Sequence, residues 1–88
     1  MVELTKLQKV HVTWVDSSGG DTGWEVVESL DDVHGNIITC ESLGWILKET
    51  DEILTIAHNV SDGHSNAEAQ FTMGMTIPKV AIIKRKNI

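Results

Sequence analysis

Apolar and polar positions alternate along several separate stretches of this chain, and the clearest of them lies between Ile37 and Val60. Two apolar, β-branched runs there flank the polar quartet Glu49-Thr50-Asp51-Glu52, the pattern of two antiparallel strands joined by a tight reversal. In the first run Ile37, Leu43, Trp45 and Leu47 fall on one parity, and Ile38, Cys40, Ser42, Gly44 and Ile46 on the other. Gly44 interrupts an otherwise continuous strand. A glycine inside a strand marks a bulge, a bend or a close backbone approach, so the strand is expected to curl as small barrels require.

Lys9 to Val15 alternates in the same way, with Val10, Val12 and Trp14 on one side and His11, Thr13 and Val15 on the other, which predicts a half-buried strand. The following Ser17–Gly23 has three glycines and no apolar residue, so it predicts a loop in water. It matches no phosphate-cradling glycine spacing. In Trp24–Leu30, Trp24, Val27 and Leu30 recur every third residue and Thr22 is available as an N-cap. One short helical turn near 24–31 is therefore preferred to a strand. The polar Ser61–Gln70 predicts a mobile loop. Phe71 to Ile77 alternates again, Pro78 stops it, and Val80 to Lys84 predicts a last strand after a tight Ile77-Pro78-Lys79 corner.

Short strands of this number and spacing predict an all-β, five-stranded barrel of the SH3-like or Sm-like type, formed by one domain over residues 1–88. Val10, Val12, Leu43, Leu54, Ile56, Ile77 and Ile82 are its expected core. Eighty-eight residues bury about two-thirds of the surface of the unfolded chain, which leaves a marginal core. Apolar residues also occupy both parities, as at Ile37-Ile38 and Ile82-Ile83. Both features predict a homo-oligomer, or docking on a host protein.

Charge narrows the partners. The formal net charge is −6, and from residue 10 to 78 twelve acids face the single base Lys48. So acidic a body disfavours nucleic acid, leaving only the basic end Lys84-Arg85-Lys86 as a local exception. No run approaches the roughly 20 apolar residues that span a bilayer, and the N-terminus lacks the apolar core of a secretion signal. The single cysteine, Cys40, excludes an intrachain disulfide and reads as a small core hydrophobe in a reducing, cytoplasmic setting.

The combination of W-x-D-S at Trp14–Ser17, G-W at Gly23-Trp24, S-x-G-W-I at Ser42–Ile46, D-E-x-L-T-I-A at Asp51–Ala57 and I-P-K at Ile77–Lys79 resembles a group of small proteins encoded by tailed bacteriophages. The resemblance runs from about Val10 to Ile83. It implies a small β-barrel made in the cytoplasm of an infected bacterium, with Asp16, Ser17, Trp24, Ser42, Gly44 and Trp45 as pattern residues.

No motif ties His11, His34, His58 or His64 to Cys40 or to a serine, so nothing points to nucleophilic catalysis. His58, Asp62 and His64 share one segment, but a polar loop of this kind commonly binds no metal. No catalytic residue, metal or cofactor is expected. The tryptophans carry the more specific chemistry: an indole face stacks on a base, and a nearby carboxylate such as Asp16 accepts from ribose hydroxyls or an exocyclic amine. The resulting expectation is a non-catalytic protein that sequesters a small nucleotide-like molecule, such as a host immune signal. Its site would be a pocket between subunits lined by Asp16, Ser17, Trp24, Ser42, Gly44 and Trp45. The alternatives are a module that inhibits a host factor through an acidic face, and an Sm-like RNA-binding ring.

Overall fold

Strand alternation is realised as five antiparallel strands in one sheet. They are β1 (Lys9–Ser17), β2 (Ile37–Glu49), β3 (Ile53–Ser61), β4 (Gln70–Pro78) and β5 (Ile82–Asn87), in the order β4-β3-β2-β1-β5. The structure, a computed structural model, describes residues 2–17, 24, 26–33 and 35–88. The Ser18–Gly23 part of the expected loop and the Thr22 N-cap lie outside the described residues, as does His34. Helix among the described residues is confined to three 3-10 turns, at Leu4–Lys6, Leu30–Asp32 and Lys79–Ala81.

The long strand β2 serves two partners. Its first part pairs with β1, from Ser17↔Ile37 to Lys9↔Trp45, and its last part pairs with β3, from Trp45↔Ala57 to Glu49↔Leu54. The hand-over falls at Gly44-Trp45, and bulges after Ile46 in β2 and around Ala57 in β3 add the local twist that curves the sheet. Curvature brings β4 back across β1 and β2. Ser42 Oγ accepts from Trp14 Nε1 at 3.0 Å and donates to Met75 Sδ at 3.3 Å, so one hydroxyl joins β1, β2 and β4. Inside this curl Val10, Val12, Leu54, Ile56 and Ile77 form the buried core, with Trp14, Ile46, Met75 and Ile82 packed against it.

Five of the seven expected core residues are therefore buried and Ile82 is partly so, whereas Leu43 is 57% exposed. The reason is register. Val10 and Val12 face inward, their cross-strand partners are Gly44 and Ser42, and Leu43 is left with His11 on the outer face. The last strand also begins later than its apolar run suggests: Lys79–Ala81 forms a 3-10 turn in which Val80 is 97% exposed, and β5 starts at Ile82. Of the helical turn expected near 24–31, the described residues show a 3-10 turn at its end. Leu30–Asp32 is that turn, with Ser29 Oγ accepting from the Asp31 amide, and Trp24, Val26, Val27 and Leu30 stand in the open. Among the described residues no layer covers this apolar stripe, and an isolated turn is too short to persist on propensity. The polar segment after β3 folds tightly on itself through Gly63, at φ 78°, and a His64↔Ala67 bridge.

The strand ends are clamped by charge. Glu49 at the end of β2 receives Arg85 Nη1 of β5 at 2.6 Å and Lys79 Nζ of the 3-10 turn at 2.5 Å. Donation from Arg85, then from Lys79, pulls the Glu49 carboxyl from 4.5 down to about 2. A carboxyl with a depressed folded-state pKa stabilises the fold above its unfolded value, and that contribution disappears as pH falls through the folded value. Glu49→Gln should accordingly lower the melting temperature at pH 7, and the gap to wild type should close between pH 4.5 and about 2. Thermal unfolding followed by circular dichroism over that range tests it; a gap independent of pH would show that the clamp is not what Glu49 supplies.

Candidate functional site

The bend at Gly44 separates two surfaces, and this decides where chemistry can sit. Positions 10, 12, 14 and 16 of β1 share the inner face with 44, 42, 40 and 38 of β2; positions 9, 11, 13, 15 and 17 share the outer face with 45, 43, 41, 39 and 37. Gly44 is buried, and a Cβ there would run into the Ala57 carbonyl oxygen and lie 3.2 Å from Ile56 Cβ. Its φ is not positive, so the glycine is required by the close passage of β3 rather than by backbone conformation. The same approach seats Trp45 against β3, opposite Ala57.

On the outer side of that crossing lies a shallow groove of about 180 Å³ lined by Lys9, Leu43, Gly44, Trp45, His58 and Ile88. Lys9 is there because it is the cross-strand partner of Trp45. His58 occupies the bulged stretch of β3, its imidazole lying over Gly74, where any Cβ would meet the ring. Trp45 is half-buried and its Nε1 is enclosed without a hydrogen-bond partner. Packing alone therefore fixes the indole. An aromatic face, an ammonium and an imidazole are thus gathered in one open concavity.

The six pattern residues do not all meet within one chain. Gly44 and Trp45 line the groove. Ser42 faces the opposite side of the sheet, where Trp14 and Met75 engage its hydroxyl. Asp16 and Ser17 lie far along β1, opposite Ile38 and Ile37, with Asp16 Oδ1 accepting from the Ser17 amide at 2.8 Å. Trp24 is fully exposed. Lys9 was not singled out from sequence, and His58 only as a metal-ligand candidate with Asp62 and His64. Lys9 was within reach, since pairing Val10 with Gly44 places Lys9 against Trp45, but the β3 bulges that deliver His58 leave no such trace.

A larger concavity of about 490 Å³ lies between Val2 and residues 62–69. Neither tryptophan nor phenylalanine lines it, and its Asp62 accepts the Thr5 amide at 2.9 Å and the Thr5 hydroxyl at 2.5 Å. These two bonds, the hydroxyl's first, hold the Asp62 carboxyl below its ordinary value. Among the described residues no group of three His, Cys, Asp or Glu side chains is placed to hold a metal ion, His58, Asp62 and His64 included. Cys40 is a free, half-buried thiol on the inner face, paired across the strands with Trp14. No helix among the described residues is long and apolar enough to cross a membrane.

No protein-family model, curated protein or solved structure matches the chain.

Because the carbonyl facing Gly44 is backbone, nothing cheap can move to admit a side chain. Gly44→Ala should destabilise the protein by about 1–3 kcal/mol in urea unfolding. Gly35→Ala, where an added Cβ meets nothing within 4 Å, should stay within about 0.5 kcal/mol of wild type. Equal effects of the two would remove the close approach as the reason for Gly44.

Proposed function

We propose that the protein is a non-catalytic binder of a small, anionic, nucleotide-like ligand, held on the Trp45 groove and enclosed by a second copy of the chain. The observation that carries this reading is the meeting of Trp45, Lys9 and His58 in one concavity: an indole to stack on a base, an ammonium for a phosphate and a ring nitrogen for a polar edge. The groove's volume of about 180 Å³ is below the roughly 300–1,000 Å³ of enclosed ligand sites, which favours a site shared between subunits. The resemblance to small phage proteins supplies the setting: an infected bacterium, in whose cytoplasm such a protein would sequester a host nucleotide signal. Nothing in the groove resembles a nucleophile with its base, in keeping with binding without turnover.

A second reading has its own observation. Val26, Val27, Leu30, Val33, Ile37 and Ile38 are all exposed beside the acids Glu28 and Asp31, and an acidic, apolar segment of this kind suits capture of a host protein.

Tryptophan fluorescence and melting temperature, followed while adenine and guanine nucleotides or the small-molecule fraction of a bacterial extract are added, separate the two. Binding to the native state stabilises by about 2.7 kcal/mol at a hundredfold excess over Kd. Wild type should show both quenching and a higher melting temperature, and Lys9→Glu should lose both while remaining folded. If neither nucleotides nor extract change the wild type, the ligand reading fails and the protein-capture reading takes its place.

A further inference from the structure

The outer face of the β5-β1-β2 half is net cationic, its acid Glu41 being paired with His11. It carries Lys9, and register adds Lys84 opposite Thr13 and Lys86 opposite His11. Among the described residues none of these three lysines has an ion-pair partner; the salt bridges of the other cations run from Lys6 to Glu3, from His11 to Glu41, and from Lys79 and Arg85 to Glu49. Between the lysines stand Leu43, 57% exposed, and the indole of Trp45. This is a cationic, apolar surface on a chain of net charge −6.

Its complement is the segment that leads into β2. Trp24, Val26, Val27, Leu30 and Val33 are exposed there, with Glu28 and Asp31 among them. The ribbon that carries this segment is short of partners too. Beyond the Trp14↔Ile82 rung, β2 is the only strand paired with β1 among the described residues, and β2 pairs with β3 only from Trp45 onward. A two-stranded ribbon is marginal by itself in water. The resulting radius of gyration is 18.5 Å, against about 12 Å for a compact domain of this length.

We infer that two copies of the chain exchange these segments: the acidic, apolar residues Trp24 and Val26–Val33 of each dock on the cationic, apolar outer face of the other, bringing Trp24 to the Trp45 groove. Each chain carries both surfaces, so reciprocal docking closes a twofold pair and leaves neither surface unmatched. Opposite charges fix the register, while burial of the five apolar side chains provides the affinity. The inference rests on the ligand reading above for its consequence: the open groove becomes a slot between two indoles, Trp45 of one copy and Trp24 of the other.

The test is light scattering on the full chain without added nucleotide, which reads docking alone. Wild type should have a mass of about 19 kDa, twice the 9.7 kDa of one chain. A segment-reversed chain, Glu28→Lys with Asp31→Lys, and a face-reversed chain, Lys84→Glu with Lys86→Glu, should each be a monomer. Mixed in equal amounts they should regain the mass of a pair, because each then meets opposite charge on the other; misfolded chains could not do this. A monomeric wild type, a reversed chain that still pairs with itself, or a mixture that stays monomeric overturns the inference. Nucleotide titration of the wild-type pair reads the ligand site separately, so either result can fail while the other stands.

Discussion

The structure depends on one contact, the passage of the Ala57 carbonyl of β3 over Gly44 of β2. A side chain at position 44 would hold the two backbones apart. With glycine there, β2 leaves β1 and joins β3 within one rung, Lys9↔Trp45 and Trp45↔Ala57 sharing the same tryptophan. Leu54 and Ile56 are thereby carried over Val10 and Val12, and these four residues with Ile77 make the core. A chain of 88 residues has little core to spare, so this crossing decides whether there is a barrel.

From the same bend follows the division of labour between faces. On the inner face Ser42 is shared by Trp14 and Met75, and at the exposed strand ends Glu49 is shared by Lys79 and Arg85. On the outer side, the Trp45 Nε1 is enclosed without a partner, and among the described residues the lysines of β1 and β5 stand exposed without an ion pair. Buried polar atoms are normally satisfied, and an unsatisfied one is a place to expect function or a missing partner. The binding reading and the paired assembly both take the outer face as the working surface for that reason.

Much of the architecture was legible in the chain because strand alternation is a local signal. The β1 to β4 strands, the reversal after Glu49 and the importance of Gly44 follow from period-two patterning and one glycine. What was not legible depended on register. Leu43 has the composition of a core residue, but the inward direction of Val10 fixes Gly44, not Leu43, as its partner. The Trp24–Leu30 periodicity yields only the 3-10 turn at Leu30–Asp32 for a related reason: threefold spacing extends into a helix only if something packs on it, and among the described residues Trp24, Val26, Val27 and Leu30 stay exposed. As for the site, Gly44 and Trp45 could be found from their unusual residue types. His58 could not, since two bulges in β3 place it.

The central claim is that position 44, and not position 43, faces the core beneath β3. Proton–proton contacts in a nuclear Overhauser spectrum read this directly. The Gly44 α-protons should show cross-peaks to the Ile56 side chain, whereas the Leu43 methyls should contact the outer-face neighbours Lys9 and His58 and not Val10 or Ile56. Leu43 methyl contacts to Val10 and Ile56, with none from Gly44, would place the opposite parity inside and contradict the account of both the fold and the site.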